Sequence, residues 1–65
     1  MMKILINGEV YETKARKLSD LISEKKPTPP FAVAVNLRFI ARVHYYDTEI
    51  FENDEVEIVA PMVGG

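Results

Sequence analysis

The chain contains no cysteine, which excludes disulfides, zinc thiolates and a thiol nucleophile. A single histidine, His44, is too few for a histidine-based metal site. There is no glycine-rich phosphate loop and no general base poised beside a nucleophile. The longest apolar run, Phe31 to Val35, falls far short of the roughly 20 residues a membrane-spanning helix needs. No basic leader precedes a long apolar segment. Positive charge is not in excess either. Eight basic residues stand against ten acidic ones, a net charge of −2, whereas nucleic-acid binding rests on clustered lysine and arginine. These absences leave the expectation of a soluble, cytoplasmic domain.

What is present is one small domain. A chain of 65 residues buries only about 60% of its unfolded surface, and 48% hydrophobic residues suffice for one thin core. Charge is uneven along it. Residues 1–30 carry six basic and four acidic side chains, and residues 31–65 carry two and six. An acidic bias of that kind is a solvated surface or a docking face for a basic partner.

Local patterns give the element order. Ile4-Leu5-Ile6, then Asn7-Gly8, then Glu9 to Thr13 reads as a β-hairpin, because Asn-Gly takes positive φ at both central positions of a type I′ turn. A two-residue loop pairs Ile6 with Glu9, Leu5 with Val10 and Ile4 with Tyr11, which puts Ile4, Ile6 and Tyr11 on one face and Leu5 and Val10 on the other. Leu18, Leu21 and Ile22 lie at helical spacing within residues 17–26. Lys25 and Lys26 suit the end of that helix, and Pro27 stops it. Its start is weak, with Lys17 where a capping Ser, Thr or Asp is preferred.

Phe31 to Asn36 reads as the central strand, its large residues Phe31, Val33 and Val35 turned toward the helix. Asn36-Leu37-Arg38 reads as a turn into a short strand at Phe39 to Ala41. Arg42 to Thr48 has no clear period. Glu52-Asn53-Asp54 is a turn in which Asn53 takes left-handed φ. Glu55 to Val59 is the last strand, with Val56 and Ile58 inward. The order β-β-α-β-β-β, with one short helix able to cover one sheet face, predicts an α+β domain of two layers. Its arrangement is the β-grasp: a four- to five-stranded mixed sheet with one main helix packed on one face.

The expected division is a β-grasp domain over residues 1–60 and a flexible Gly-Gly tail over residues 61–65. Pro61 cannot donate to a ladder, and six extended residues from Ala60 reach about 20 Å. Two glycines at the last two positions arise in roughly 0.5% of chains at average glycine usage. Lacking Cβ atoms, they fit a slot too narrow for other residues. The α-carboxylate of Gly65 is then presented to another protein's active site.

With these residues in view, the chain resembles the ThiS sulfur-carrier family of ubiquitin-like β-grasp proteins. The resemblance covers the whole chain. It rests on Asn7-Gly8 in the first turn, on Val35-Asn36 followed by Phe39-Ile40-Ala41-Arg42, on Glu52-Asn53-Asp54, and above all on Glu55 to Val59 followed by Gly64-Gly65. Ala41 stands where the family usually has proline and Asn53 where it commonly has glycine; both departures touch turns.

The resemblance implies a sulfur carrier of thiamine thiazole biosynthesis that is acted on by enzymes and is not one itself. A ThiF-like adenylyltransferase, binding ATP and Mg²⁺, would activate the Gly65 carboxylate, so this chain would bind no cofactor. A cysteine desulfurase would supply sulfur for a terminal thiocarboxylate, and a ThiG-like thiazole synthase would accept it. Gly64, Val63 and Met62 would thread into the partner's active site. Strand parity puts Leu5, Val10, Ala34 and Val59, beside Glu55 and Glu57, on the sheet face away from the helix, the candidate docking face. Alternatives are a molybdopterin-synthase sulfur carrier, a ubiquitin-like modifier joined through Gly65, and a plain interaction domain. Tyr45 fits packing, His44 packing or surface, Arg38 and Arg42 fit solvated surface, and the acidic residues from Glu49 to Glu57 lack the spacing of a calcium loop.

Overall fold

A computed structural model describes residues 1–60 of the chain. Strands β1 (Met2–Ile6) and β2 (Glu9–Thr13) form the first hairpin. Their register pairs Ile6 with Glu9, Leu5 with Val10 and Ile4 with Tyr11. Asn7 at φ 51° and Gly8 at φ 84° supply the turn, so two residues of sequence set the alignment of ten.

Helix α1 (Leu18–Lys25) follows. No side chain caps its start. Instead the Leu18 N–H donates to the Thr48 carbonyl at 2.8 Å, and the Ile50 N–H donates to Arg16 at 2.9 Å. A short antiparallel crossing thus does what a capping side chain otherwise does. The helix ends at Lys26, whose backbone turns left-handed at φ 49° and donates to Ile22. Pro27 follows and cannot continue the helix.

Strands β3 (Ala32–Val35) and β4 (Arg38–Ile40) make a second hairpin, and β5 (Glu55–Val59) is last. The sheet order is β2-β1-β5-β3-β4. Strand β5 runs parallel to β1 and antiparallel to β3, and so joins the two hairpins. The expectation that residues 31–36 form the central strand is therefore corrected: the centre is β5, and β3 is its neighbour. Strand β4 is also one residue earlier than expected. Val35 pairs with Arg38, so the turn is Asn36-Leu37 alone. The stretch without a period, Arg42–Asp47, is a 3₁₀-helix. At three residues per turn, it stacks Val43 over Tyr46 and His44 over Asp47.

One face of the sheet carries the core. Ile4, Ile6, Val33, Val35 and Val56 are buried with Ala15, Leu18, Leu21 and Ile50. Phe31, Ile58, Tyr11 and Tyr45 pack partly against them. Among the described residues Thr13 is the buried polar one; its hydroxyl donates to Glu24 Oε1 at 2.7 Å and accepts from the Ala15 N–H at 2.9 Å. Among the described residues no buried side-chain polar atom lacks a partner.

Candidate functional site

Met62, Val63, Gly64 and Gly65 lie outside the described residues, as does the expected flexible tail over 61–65. What the structure does place is the strand that leads to them. At its start, the Asn36 N–H donates to the Glu55 carbonyl at 2.7 Å, and Asn36 Oδ1 accepts from the Glu55 N–H at 2.9 Å. Asn36 Nδ2 donates to Asp54 Oδ1 at 3.0 Å. On the opposite edge, Asn7 Nδ2 donates to the Ile58 carbonyl at 3.1 Å, and Asn7 Oδ1 accepts from the Ile58 N–H at 2.9 Å.

These two side-chain amides imitate peptide groups. The backbone ladder between β1 and β5 pairs Leu5 with Glu55 and Ile6 with Val56; the Asn7 amide adds one further step just before the chain leaves the sheet. Both asparagines occupy positive-φ turn positions, where a short amide side chain is tolerated. Each therefore makes a turn and clamps β5 with the same residue. The sequence marks both as turn formers, but their second role depends on a strand about 20 to 50 residues away (Asn36 to Glu55, Asn7 to Ile58), which no local pattern reports.

On the sheet face away from α1, register brings Leu5 beside Val10 and Glu55, Ala34 beside Glu57, and Ala32 beside Val59. Leu5 and Ala34 are half-buried, while Val10 is 68% and Val59 55% exposed. Phe39, 71% exposed and paired with Ala34, belongs to the same patch. The residue pattern did not single it out. Reading Asn36-Leu37 as a two-residue turn would have found it, because that register aligns Phe39 with Ala34. Glu55 and Glu57, on the central strand, lie between Leu5 on one side and Ala34 on the other, so a line of negative charge divides the apolar surface.

The other face has a different polar cluster. Tyr11 Oη donates to Glu24 Oε1 at 3.1 Å, and Lys25 Nζ lies 4.8 Å from the Tyr11 ring centroid. Desolvation raises the Tyr11 phenol above its ordinary range, helped by the hydrogen bond to Glu24 and by that carboxylate's charge. This cluster ties α1 to β2. His44 and Asp47 form an exposed pair at 3.5 Å, Tyr45 packs partly on the core, and Arg38 and Arg42 are exposed. Among the described residues no group of three or more acidic or histidine side chains could hold a metal ion, and no helix is long and apolar enough to cross a membrane.

A five-stranded mixed sheet with one covering helix, and a clamped central strand running out toward the terminus, defines a ubiquitin-like β-grasp protein. The same architecture is found in the thiamine biosynthesis protein (ThiS) from Geobacter metallireducens, whose crystal structure superimposes with a TM-score of 0.85 at 23% identity, covering 98% of this chain and 100% of that one. The description of the ThiS family matches residues 4–65, and the chain belongs to that family. A comparison with curated proteins gives no match.

Proposed function

We propose that this chain is a sulfur carrier protein of thiamine biosynthesis, serving thiazole formation, and that its working group is the Gly65 carboxylate. The observation that carries this reading is the family match running through Gly64 and Gly65, directly downstream of a central strand held on both edges. A carboxylate is a poor acylating group, so it needs a leaving group before sulfur can add. A ThiF-like adenylyltransferase, holding ATP and Mg²⁺, joins the Gly65 carboxylate to AMP with release of pyrophosphate. A persulfide sulfur from a cysteine desulfurase attacks the acyl carbon and displaces AMP. A further thiol cleaves the resulting sulfur–sulfur bond, leaving the thiocarboxylate. A ThiG-like thiazole synthase takes that sulfur.

In this scheme the folded body contributes recognition and the partners contribute catalysis. The outer face of Leu5, Val10, Ala34 and Val59, extended by Phe39, is the docking surface, and Met62 and Val63 enter the partner's channel. An apolar face crossed by a central pair of carboxylates fits a partner surface with basic groups flanked by apolar ones.

Intact-mass measurement tests the proposal. Incubated with ATP, Mg²⁺, the adenylyltransferase and the desulfurase, the chain exchanges one oxygen for sulfur, and a chain lacking Gly65 does not. Covalent attachment to whole target proteins would establish a modifier instead. Full sulfur transfer by the chain without Gly65 would overturn the assignment.

A further inference from the structure

Leucine is a costly choice at position 37. The turn between β3 and β4 needs positive φ at both central residues, and Asn36 and Leu37 take 51° and 68°. Asparagine enters this region more cheaply than most residues, and the Asn36 amide is also held by bonds to Asp54 and Glu55. Leucine has no such compensation, and its Cβ crowds the following carbonyl. The fold returns nothing for the strain. Leu37 is 83% exposed and belongs neither to the core nor to the apolar residues packed against it. The matching position of the first hairpin is Gly8, so the same sheet contains the unstrained solution.

The surroundings of Leu37 show where its side chain is of use. It borders a hollow alongside β5 on the outer sheet face, shared with Leu5, Gly8, Glu55 and Glu57. The hollow has two carboxylates and no basic residue in its lining. Through Leu5 it is continuous with the patch that carries Val10 and Ala34. We infer that Leu37 is a specificity-determining anchor for the adenylating enzyme, entering an apolar socket whose rim carries lysine or arginine opposite Glu55 and Glu57. Strain kept in the free chain is then explained by a side chain whose burial occurs in the complex. The flanking carboxylates steer the encounter and disfavour acidic surfaces.

The inference rests on the carrier reading above, and its test separates the two. ATP–pyrophosphate exchange is measured with the purified ThiF-like adenylyltransferase and the full chain as substrate, beside thermal unfolding of each chain alone. If the wild-type chain supports no exchange, the carrier reading falls and this inference with it. Given wild-type exchange, Leu37→Asn raises KM for the chain about tenfold with kcat little altered, and it leaves Tm unchanged or higher by about 5 °C, since asparagine suits the backbone better. Leu37→Met, which keeps an apolar side chain, recovers most of the KM loss. Replacing Glu55 and Glu57 together by glutamine lowers kcat/KM at low salt and flattens its salt dependence. A KM for Leu37→Asn within about twofold of wild type overturns the inference. So does a lowered Tm, which would show that leucine serves the fold.

Discussion

Replacing Asn36 by glycine separates the two roles of that residue. The turn survives, because glycine takes φ 51° without strain. So does the backbone bond from residue 36 to the Glu55 carbonyl, 2.7 Å long. What disappears is the amide: the 2.9 Å acceptor for the Glu55 N–H and the 3.0 Å donor to Asp54. At about 1 kcal/mol for each net hydrogen bond, reduced by water access at this exposed edge, and with a few tenths more for the extra freedom of glycine in the unfolded chain, the loss is about 2 kcal/mol. That is a large share of the roughly 3–10 kcal/mol available to a domain of this size. It corresponds to a Tm lower by about 8–16 °C. Asn53→Gly is the matched comparison. Asn53 also sits at positive φ, 72°, and its bond to Lys3 is made by the backbone, so its replacement leaves stability within about 0.5 kcal/mol of wild type. Urea and thermal unfolding followed by circular dichroism report both. Equal stability of Asn36→Gly and Asn53→Gly would falsify the claim that side-chain amides clamp β5.

Two further outcomes follow from the core and from the Tyr11 cluster. Leu21→Ala empties a fully buried site beneath the sheet at a cost of about 2–5 kcal/mol; urea titration should show the unfolding free energy lowered by that amount, and native-like stability would mean that α1 is not packed as described. The raised phenol pKa of Tyr11 means that the folded chain holds that proton more tightly than the unfolded one. Its contribution is therefore complete below about pH 10 and is lost as pH rises through the folded value. Tyr11→Phe removes this alkaline loss, which a series of melts from neutral to high pH detects; an unchanged alkaline profile refutes the raised phenol of Tyr11.

Much of the fold is legible because it is written in short-range rules. Asn7-Gly8 dictates the register of the first hairpin. The spacing of Leu18, Leu21 and Ile22 defines the helix, and alternation along β5 separates Val56 and Ile58 from Glu55 and Glu57. Lateral strand order is a different kind of information. The apolar density of Phe31 to Val35 resembles that of a central strand, yet the position is taken by β5, whose glutamates sit on the uncovered face where no core excludes charge. The 3₁₀-helix escapes notice because six residues hold only two repeats of its period. Leu37 escapes because nothing in a leucine announces left-handed backbone. For the site, parity suffices to group Leu5, Val10, Ala34 and Val59, whereas Phe39 needed the turn length and the asparagine clamps needed the tertiary structure.

The bridging place of β5 bears on synthesis. Both hairpins leave the ribosome before the strand that unites them exists, and a two-stranded hairpin by itself is marginal in water. Among the described residues, the nascent sheet has no ladder from one half to the other until residues 55–59 emerge. A truncated copy that stops short of them stays open to proteases. The copies that reach a folded state are those in which residues 55–59 have joined the two hairpins.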